Sequence, residues 1–556
     1  MVQFDEEKQE ERVAALRKKE EEELVKTLAE RDSIPYLDLS MHPINIDALR
    51  VVKEADARAA NLAIFNATDK NIDVAILSPE NGKTKEVLED LKRHGYKLEI
   101  FMVSHESLNR VWDRYKDLSY SFETKSGALD ISNEEIINVT KKVRSIADVK
   151  ALIEELLNMK RAYKISKILE IILAGAIALN ASDIHLEPEE KDLRLRYRLD
   201  GVLTDILHFD SETFELLLSR IKLVSELKLN VKDRAQDGRF SIKLGEQETE
   251  VRTSTLPGPY GESVVLRVLN PESIAVELNE LGIHSRLLIL LEKEIKKPNG
   301  MILVTGPTGS GKTTTLYAFL KKIYTPDIKV ITIENPIEYH IEGIVQTQTE
   351  TDKGYTFAEG LRSALRQDPD VIMVGEIRDS ETAGVAINAS LTGHLVLSTL
   401  HTNNAAGSFP RLLDLGVNSK VVSSALNVSI AQRLVRKLCE SCKQEKVLEG
   451  EWKKKVEIIL NAVDDKSLLE GVQREKIWTN TGCEKCGNLG FKGRIGVFEA
   501  IFVDANIEKV VIENPSERDI REAARSQKLL NLAQDGVLKA LLGITTLEEL
   551  DRVIDL

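Results

Sequence analysis

The chain has 556 residues, 42% hydrophobic and 30% charged, with a net charge of −14, which describes an ordinary globular protein of roughly three or four domains. The acidic balance excludes a general nucleic-acid binder but leaves room for local basic patches. The longest apolar stretch, Ile171 to Leu179, falls short of the roughly 20 residues of a membrane span and reads as a buried helix segment.

The N-terminus, Met1-Val2-Gln3-Phe4-Asp5-Glu6-Glu7, is acidic and lacks a signal-peptide pattern, so the expected compartment is the cytoplasm. Residues 1–32 read as a charged, mostly solvated helical arm or a flexible charged tail, with Val13, Leu16, Leu24 and Leu28 among the few apolar positions. Residues 33–118 turn globular: extended at Ile34–Leu39, a capped helix at Asn45–Val52, strands at Leu62–Phe65, Asp73–Leu77 and Glu99–Val103, helices at Thr84–His94 and His105–Tyr115. This small α/β module carries no catalytic motif and reads as a docking domain. Residues 119–149 are polar and weakly patterned, as in a linker.

A second domain is expected over 150–275. Helical periodicity runs to Leu179, and Leu193-Arg194-Leu195-Arg196-Tyr197-Arg198-Leu199 alternates as a strand before an Asp200-Gly201 hairpin turn. A helix follows over Phe214–Leu227, then strands around Glu248–Thr255 and Ser263–Leu269 that carry Arg252 and Arg267. The arginines fit a solvated sheet face and a phosphate-facing one equally well.

A third domain, 276–556, holds the most specific stretch. The apolar run Met301–Val304 leads into Gly306-Pro307-Thr308-Gly309-Ser310-Gly311-Lys312-Thr313 and then a helical Thr314-Thr315-Leu316-Tyr317. This is G-x-x-x-x-G-K-S/T in its strand–loop–helix setting, where backbone N–H groups and a helix N-terminus surround phosphate oxygens. Lys312 would reach the β- and γ-phosphates of ATP, and the Thr313 hydroxyl would hold Mg²⁺. Strands Val330–Ile333, Val371–Val374 and Leu395–Thr399 then alternate with helices Phe357–Arg366 and Thr382–Leu391, the signature of a doubly wound, mainly parallel sheet with active groups at its carboxyl edge. Glu334 and Glu338 follow the first of these strands and suit a general base that orients water; Glu376 follows the second and suits a place near Mg²⁺. His394 and His401 bracket the third, and His401 could sense the γ-phosphate. Arg362 and Arg366 lie four apart on one helix face, toward a nucleotide or a neighbouring subunit. Cys439, Cys442, Cys483 and Cys486 form two CxxC pairs, the donor set of a closed, structural tetrahedral Zn²⁺ site.

Taken together, these motifs resemble the type II secretion and type IV pilus assembly ATPases, the GspE/PilB kind. Ala181-Ser182-Asp183-Ile184-His185 with Arg198-Leu199-Asp200-Gly201 resembles that family's second N-terminal domain, Gly306–Thr314 its Walker A, Ile333–Tyr339 its Asp box, Leu365–Glu376 its Walker B region, and Thr392–Asn403 its His box; Ala431–Cys439 leads into the cysteine segment as the family does. The resemblance implies a RecA-like P-loop domain behind a PAS-like α/β domain and a docking domain, with a zinc subdomain at 437–490 and C-terminal helices at 505–556. It implies a homo-hexamer that hydrolyses ATP with Mg²⁺ between its two main domains, with Arg252 and Arg267 contacting phosphates from the N-terminal side. It also implies tethering to the inner face of the plasma membrane through a platform protein and a docking protein, with no direct nucleic-acid partner. Asn335 stands where the Asp box usually has aspartate; an amide accepts no proton, which leaves Glu338 as the better base candidate. A retraction motor of the same superfamily is the competing reading, against which the tetracysteine segment and N-terminal module speak; a DNA-translocating ATPase is another.

Overall fold

The computed structural model describes residues 21–39, 42, 44–68, 71–93, 95–117, 123–124, 128–129, 139–140, 142–157, 164–244, 247–269, 276–513 and 516–556. The chain divides into two compact units, residues 1–124 with 154–170, and residues 125–153 with 171–556. Among the described residues no helix is long and apolar enough to cross a membrane.

In the first unit, β1 (Leu62–Thr68) pairs antiparallel with β2 (Asn71–Ile76), which pairs parallel with β3 (Lys97–Met102). Helices Gly82–Arg93 and His105–Asp113 supply Leu88, Leu91, Leu108, Val111 and Trp112 to the core against these strands. The Ser104 hydroxyl caps the second helix by accepting from Ser107 N. Where a helix was expected over Asn45–Val52, the chain forms a tighter 3-10 helix, Ile46–Val51. Of the charged arm, residues 21–32 are helical, and Val25 and Ala29 are buried in this core. One stripe of the arm is therefore packed rather than solvated. Residues 1–20 lie outside the described residues, as does most of the expected linker. Two two-residue strands, β4 (Glu123–Thr124) and β5 (Ala128–Leu129), fall within that linker.

The second unit carries two large sheets. The first contains β6 (Asp183–Pro188), β7 (Leu193–Leu199), β8 (Val202–Phe209), β9 (Gln236–Leu244), β10 (Gln247–Gly258) and β11 (Gly261–Leu269), in the order β9-β10-β11-β6-β7-β8 with antiparallel neighbours, and β5 adds parallel to β9. β7 alternates buried and half-buried residues, with Leu193, Leu195, Tyr197 and Leu199 inward and the arginines outward. Register aligns Arg239, Arg252, Arg267, Asp183 and Arg198 in one row across five strands, so they share a face. Helix Ser211–Val224 starts three residues earlier than expected because Asp210 caps it, accepting from Thr213 N.

The second sheet consists of β12 (Gly300–Thr305), β13 (Val330–Glu334), β14 (Val345–Gln348), β15 (Val371–Val374), β16 (Leu395–Leu400), β17 (Leu426–Leu438) and, after a small antiparallel pair β18 (Lys443–Val447) and β19 (Lys476–Asn480), β20 (Phe491–Phe502). Its order is β14-β13-β15-β16-β12-β17-β20, parallel throughout except for β20. Met301 and Leu303 enter one core and Ile302 and Val304 the core on the opposite face, which is why these strands read as unbroken apolar runs. The expected doubly wound sheet is present. Helices Ala505–Glu513, Glu517–Ala524, Leu532–Leu541 and Leu547–Val553 close the chain.

Candidate active site

The loop from β12 to helix Lys312–Ile323 folds against Gln432 of β17. Gly306 has φ 149°, and a Cβ there would lie 2.5 Å from the Gln432 carbonyl oxygen. Gly311 has φ 87°, and its Cβ would lie 2.8 Å from Gln432 Nε2. Both positions demand glycine by conformation and by space. Gln432 is further fixed by Thr315 Oγ1, which donates to its Oε1 at 2.7 Å. Pro307, Thr308 and Gly309 form the exposed rim, Ser310 is buried with an unpartnered hydroxyl, and Thr313 and Thr314 are half-buried in the first helical turn. Lys312 Nζ donates to the carbonyls of Gly306 (2.9 Å) and Pro307 (3.0 Å), holding the loop curled around its own ammonium. Burial lowers the Lys312 pKa to about 8, with Glu376 pulling it up and Arg433 pressing it down.

Glu376 lies just beyond β15, its Oε2 2.6 Å from Arg378 Nε and 3.5 Å from Nε2 of His401, the residue after β16. Burial and the nearby Lys312 hold the His401 imidazole below its ordinary pKa. Thr402 locks this corner: its N–H donates to Thr305 Oγ1 at 2.8 Å, and the two hydroxyls lie 2.7 Å apart. Lys312, Glu376 and His401 thus lie together at the carboxyl edge of the sheet.

The two Asp-box acids have different surroundings. Glu334 is 2% exposed at the end of β13. Its oxygens accept from Tyr317 Oη, from Thr332 Oγ1 at 2.6 Å and from Gln346 Nε2 at 3.1 Å. Three donors take three of the roughly four acceptor sites of this buried carboxylate, which ties it into the structure around β13. Glu338 is half-buried and sits 3.5 Å from Arg252 Nη1. Burial raises its pKa, and Arg252 and Arg267 oppose that rise. Arg252 also donates to the Ile337 carbonyl (2.9 Å) and to Glu250 (2.9 Å), so an arginine of β10 in the first large sheet grips the Glu338 segment beside the second. Arg267 pairs with Asp183 at 3.0 Å with its side chain 61% exposed.

Three expected residues are not gathered here. His394 precedes β16, at the opposite edge of the parallel sheet, with Nδ1 3.0 Å from the Ala389 carbonyl. Arg362 is exposed and paired with Glu381 at 2.8 Å, and Arg366 donates to Ser363 Oγ at 2.9 Å on the same helix surface.

The four cysteines meet at the base of β17 and β20. Sγ···Sγ separations are 3.8 Å (Cys439–Cys483), 3.9 Å (Cys442–Cys486) and 3.7 Å (Cys483–Cys486). A tetrahedron with metal–sulfur bonds of about 2.3 Å has an edge of about 3.8 Å, so the cage has the size of a tetrathiolate metal site. Backbone N–H groups of Cys483 and Gly490 donate to Cys486 Sγ, each at 3.2 Å. Burial pushes both the Cys442 and Cys486 thiols up, Cys442 to about 12; at Cys486 these donors and the neighbouring thiols outweigh burial and bring it to about 7, so Cys486 is the more thiolate-like of the two.

Residues 158–552 match the family model described as Type II/IV secretion system protein, more than half of the chain. The chain belongs to that family. Residues 33–121 match the MshEN domain, which gives the N-terminal module a family where the sequence reading went only as far as a docking role. This secretion ATPase is 39% identical over 519 residues to the Type II secretion system protein E of Dickeya dadantii (strain 3937), covering 93% of this chain and 99% of that one. It is 35% identical over 538 residues to the Type IV pilus assembly ATPase PilB of Myxococcus xanthus (strain DK1622), covering 95% and 90%. The X-ray structure of the Legionella pneumophila ATPase DotB is similar in fold, with TM-score 0.50 and 22% identity over 69% of this chain and 95% of that chain. The fold is therefore the expected α/β one with a RecA-like P-loop ATPase domain, and the protein is an ATPase of the secretion type.

Sequence reasoning passed over two contributors to this ATPase site. Gln432 and Arg433 sit on β17, far along the chain from the loop they back; Arg433 donates to the carbonyls of Asn403 (2.8 Å) and Gln432 (3.2 Å). Their only signal was their place in the Ala431–Cys439 stretch.

Proposed function

We propose that this secretion ATPase works as a cytoplasmic homo-hexamer powering assembly of a type IV pilus or of a type II secretion pseudopilus. Glu338 is its general base. The reading rests on one observation above the others: Arg252, from the domain before the ATPase domain, reaches the Glu338 segment at the carboxyl edge where the phosphate loop lies. Nucleotide at that edge touches residues of both domains, so turnover and domain movement share one set of contacts.

The loop N–H groups and Lys312 bind the phosphates of ATP, and Glu338 takes the proton of the attacking water. Arg252 and Arg267 offset charge on the transferring phosphoryl group; such arginines supply about 10³–10⁵ in rate in other NTPases. Thr313 and Glu376 are the residues that would hold Mg²⁺, which neutralises phosphate charge when bound. His401 contacts Glu376 and orients it. Arg362 and Arg366, exposed on one helix, face a neighbouring subunit, and His394 holds the Ala389 carbonyl. The cysteine cage would hold Zn²⁺ in a closed, structural site, since four thiolates leave no open position. Membrane association comes through a platform protein and a docking protein rather than through direct nucleic-acid or lipid contact.

Two experiments test this. Lys312→Ala is expected to abolish ATP turnover by purified, folded protein, and normal turnover would remove the site. Deletion of the gene is expected to abolish surface pili or secreted cargo, and complementation with Lys312→Ala to restore neither. Normal pili and secretion after deletion would remove the assembly role.

A further inference from the structure

Tyr317 lies in the second turn of the phosphate-loop helix and is fully buried. Its hydroxyl donates to Glu334, the last residue of β13. Its ring packs edge-on against Tyr339 at 4.7 Å. One side chain thus holds Glu334, where β13 ends, and packs on Tyr339, the residue after Glu338. Residues 335–338 between them have no regular secondary structure of their own. The other ties of the Glu334–Tyr339 stretch include Thr332 Oγ1 and the Thr349 N–H on Glu334, the Gln346 amide, 3.1 Å from both Glu334 Oε1 and the Tyr339 carbonyl, the Gln348 side chain, 3.3 Å from Ile337 N, and Arg252 on the Ile337 carbonyl.

From this arrangement we propose that Tyr317 is a positioning residue for ATP hydrolysis, fixing the Glu338 carboxylate relative to the phosphate loop by anchoring the residues on either side of it, Glu334 and Tyr339. The inference rests on Glu338 being the general base. The helix that begins at Lys312 sets where phosphate sits, and Tyr317 is on that same rigid helix, five residues on. Phosphate and base are therefore registered by one element. Displacement of a reacting group by about 1 Å costs up to about 10²-fold in rate, and removing the phenol takes away the hydrogen bond that joins Glu334 to the phosphate-loop helix.

The test is Tyr317→Phe, which keeps the ring and its packing and removes only the hydroxyl. The expected result is a fall in kcat of about ten- to hundredfold, with KM for ATP and binding of a fluorescent ADP within twofold of the original. Glu334→Gln, which keeps the shape of the acceptor and weakens it, is expected to give the same split and serves if Tyr317→Phe does not fold. In a Glu338→Gln background, Tyr317→Phe is expected to cost nothing further. An unchanged kcat in both single variants overturns the positioning role, as does a loss of nucleotide affinity matching the loss of kcat, or an undiminished effect in the Glu338→Gln background. Near-normal turnover by Glu338→Gln alone instead overturns the base assignment, so the two failures are told apart.

Discussion

Replacing Arg252 by Ala removes the ion pair with Glu338 and the donor to the Ile337 carbonyl. At 3.5 Å the pair has a Coulomb energy of about 5 kcal/mol at an effective dielectric near 20. The side chains are 24% and 32% exposed, so water and the desolvation of both groups offset most of that. What remains is the net worth of a hydrogen bond to a charged group, about 1.5–3 kcal/mol. If it is expressed in the transition state, kcat falls about 10- to 150-fold. The pH dependence carries a definite sign. Burial raises the Glu338 pKa, and Arg252 is the largest of the influences that lower it. Without Arg252 the carboxyl protonates at higher pH, so the acidic limb of kcat moves upward and part of the lost rate returns as pH is raised. Arg252→Lys keeps the charge but not the two-pronged donor, and should fall between the two. The assay is steady-state ATP hydrolysis by assembled rings from pH 6 to 9, with thermal melts confirming the fold. A wild-type rate with an unmoved acidic limb would refute the coupling of Arg252 to the base.

Lys312 must be charged to bind phosphate, and its pKa in the free protein is about 8. Affinity for ATP should therefore weaken as pH rises above about 8, with proton uptake on binding visible by calorimetry in buffers of different ionisation enthalpy; pH-independent affinity to pH 9.5 would contradict this. Metal analysis should find about one Zn per chain, lost together with several degrees of melting temperature on Cys483→Ala; a metal-free, equally stable protein would rule the site out. Lys222 and Glu262 form a buried pair at 2.6 Å, with side chains 2% and 4% exposed. Lys222→Met should destabilise by about 3–5 kcal/mol, with much of that recovered by adding Glu262→Leu. A single-variant loss below about 1 kcal/mol in denaturant melts would show that the pair is not buried in solution.

The phosphate loop and the central strands were legible because each is a local pattern. β12, β13, β15 and β16 are apolar throughout since both faces are covered, and β7 alternates since one face is not. Neither β9 nor β14 was expected: Gln236–Leu244 and Val345–Gln348 are polar or half-exposed and take their conformation from neighbours rather than from their own sequence. The different fates of Glu334 and Glu338 were illegible for another reason. One ends a strand and the other follows it, and it is side chains brought from elsewhere, Tyr317 of the phosphate-loop helix and Gln346 of β14, that enclose the first carboxylate and leave the second open to Arg252. His394 was placed by motif at the site, but a strand of six residues, about 20 Å long, puts its two flanking histidines at opposite edges of the sheet. Gln432 and Arg433 come to the loop across the β12–β17 pairing, a contact over more than a hundred residues that no local pattern announces.

β17 has a mechanical consequence. Its first half is hydrogen-bonded to strands on both sides, and its second half continues along β20 to Cys439. Gln432 braces the phosphate loop, and the first cysteine lies seven residues farther, about 23 Å of extended chain. Extended backbone so tied resists shortening, but its ladder with β20 slips register between Arg436 and Leu438, one residue before Cys439. The phosphate-loop brace and the cysteine cage are thus two stations on one strand, with the soft joint between them at that irregularity.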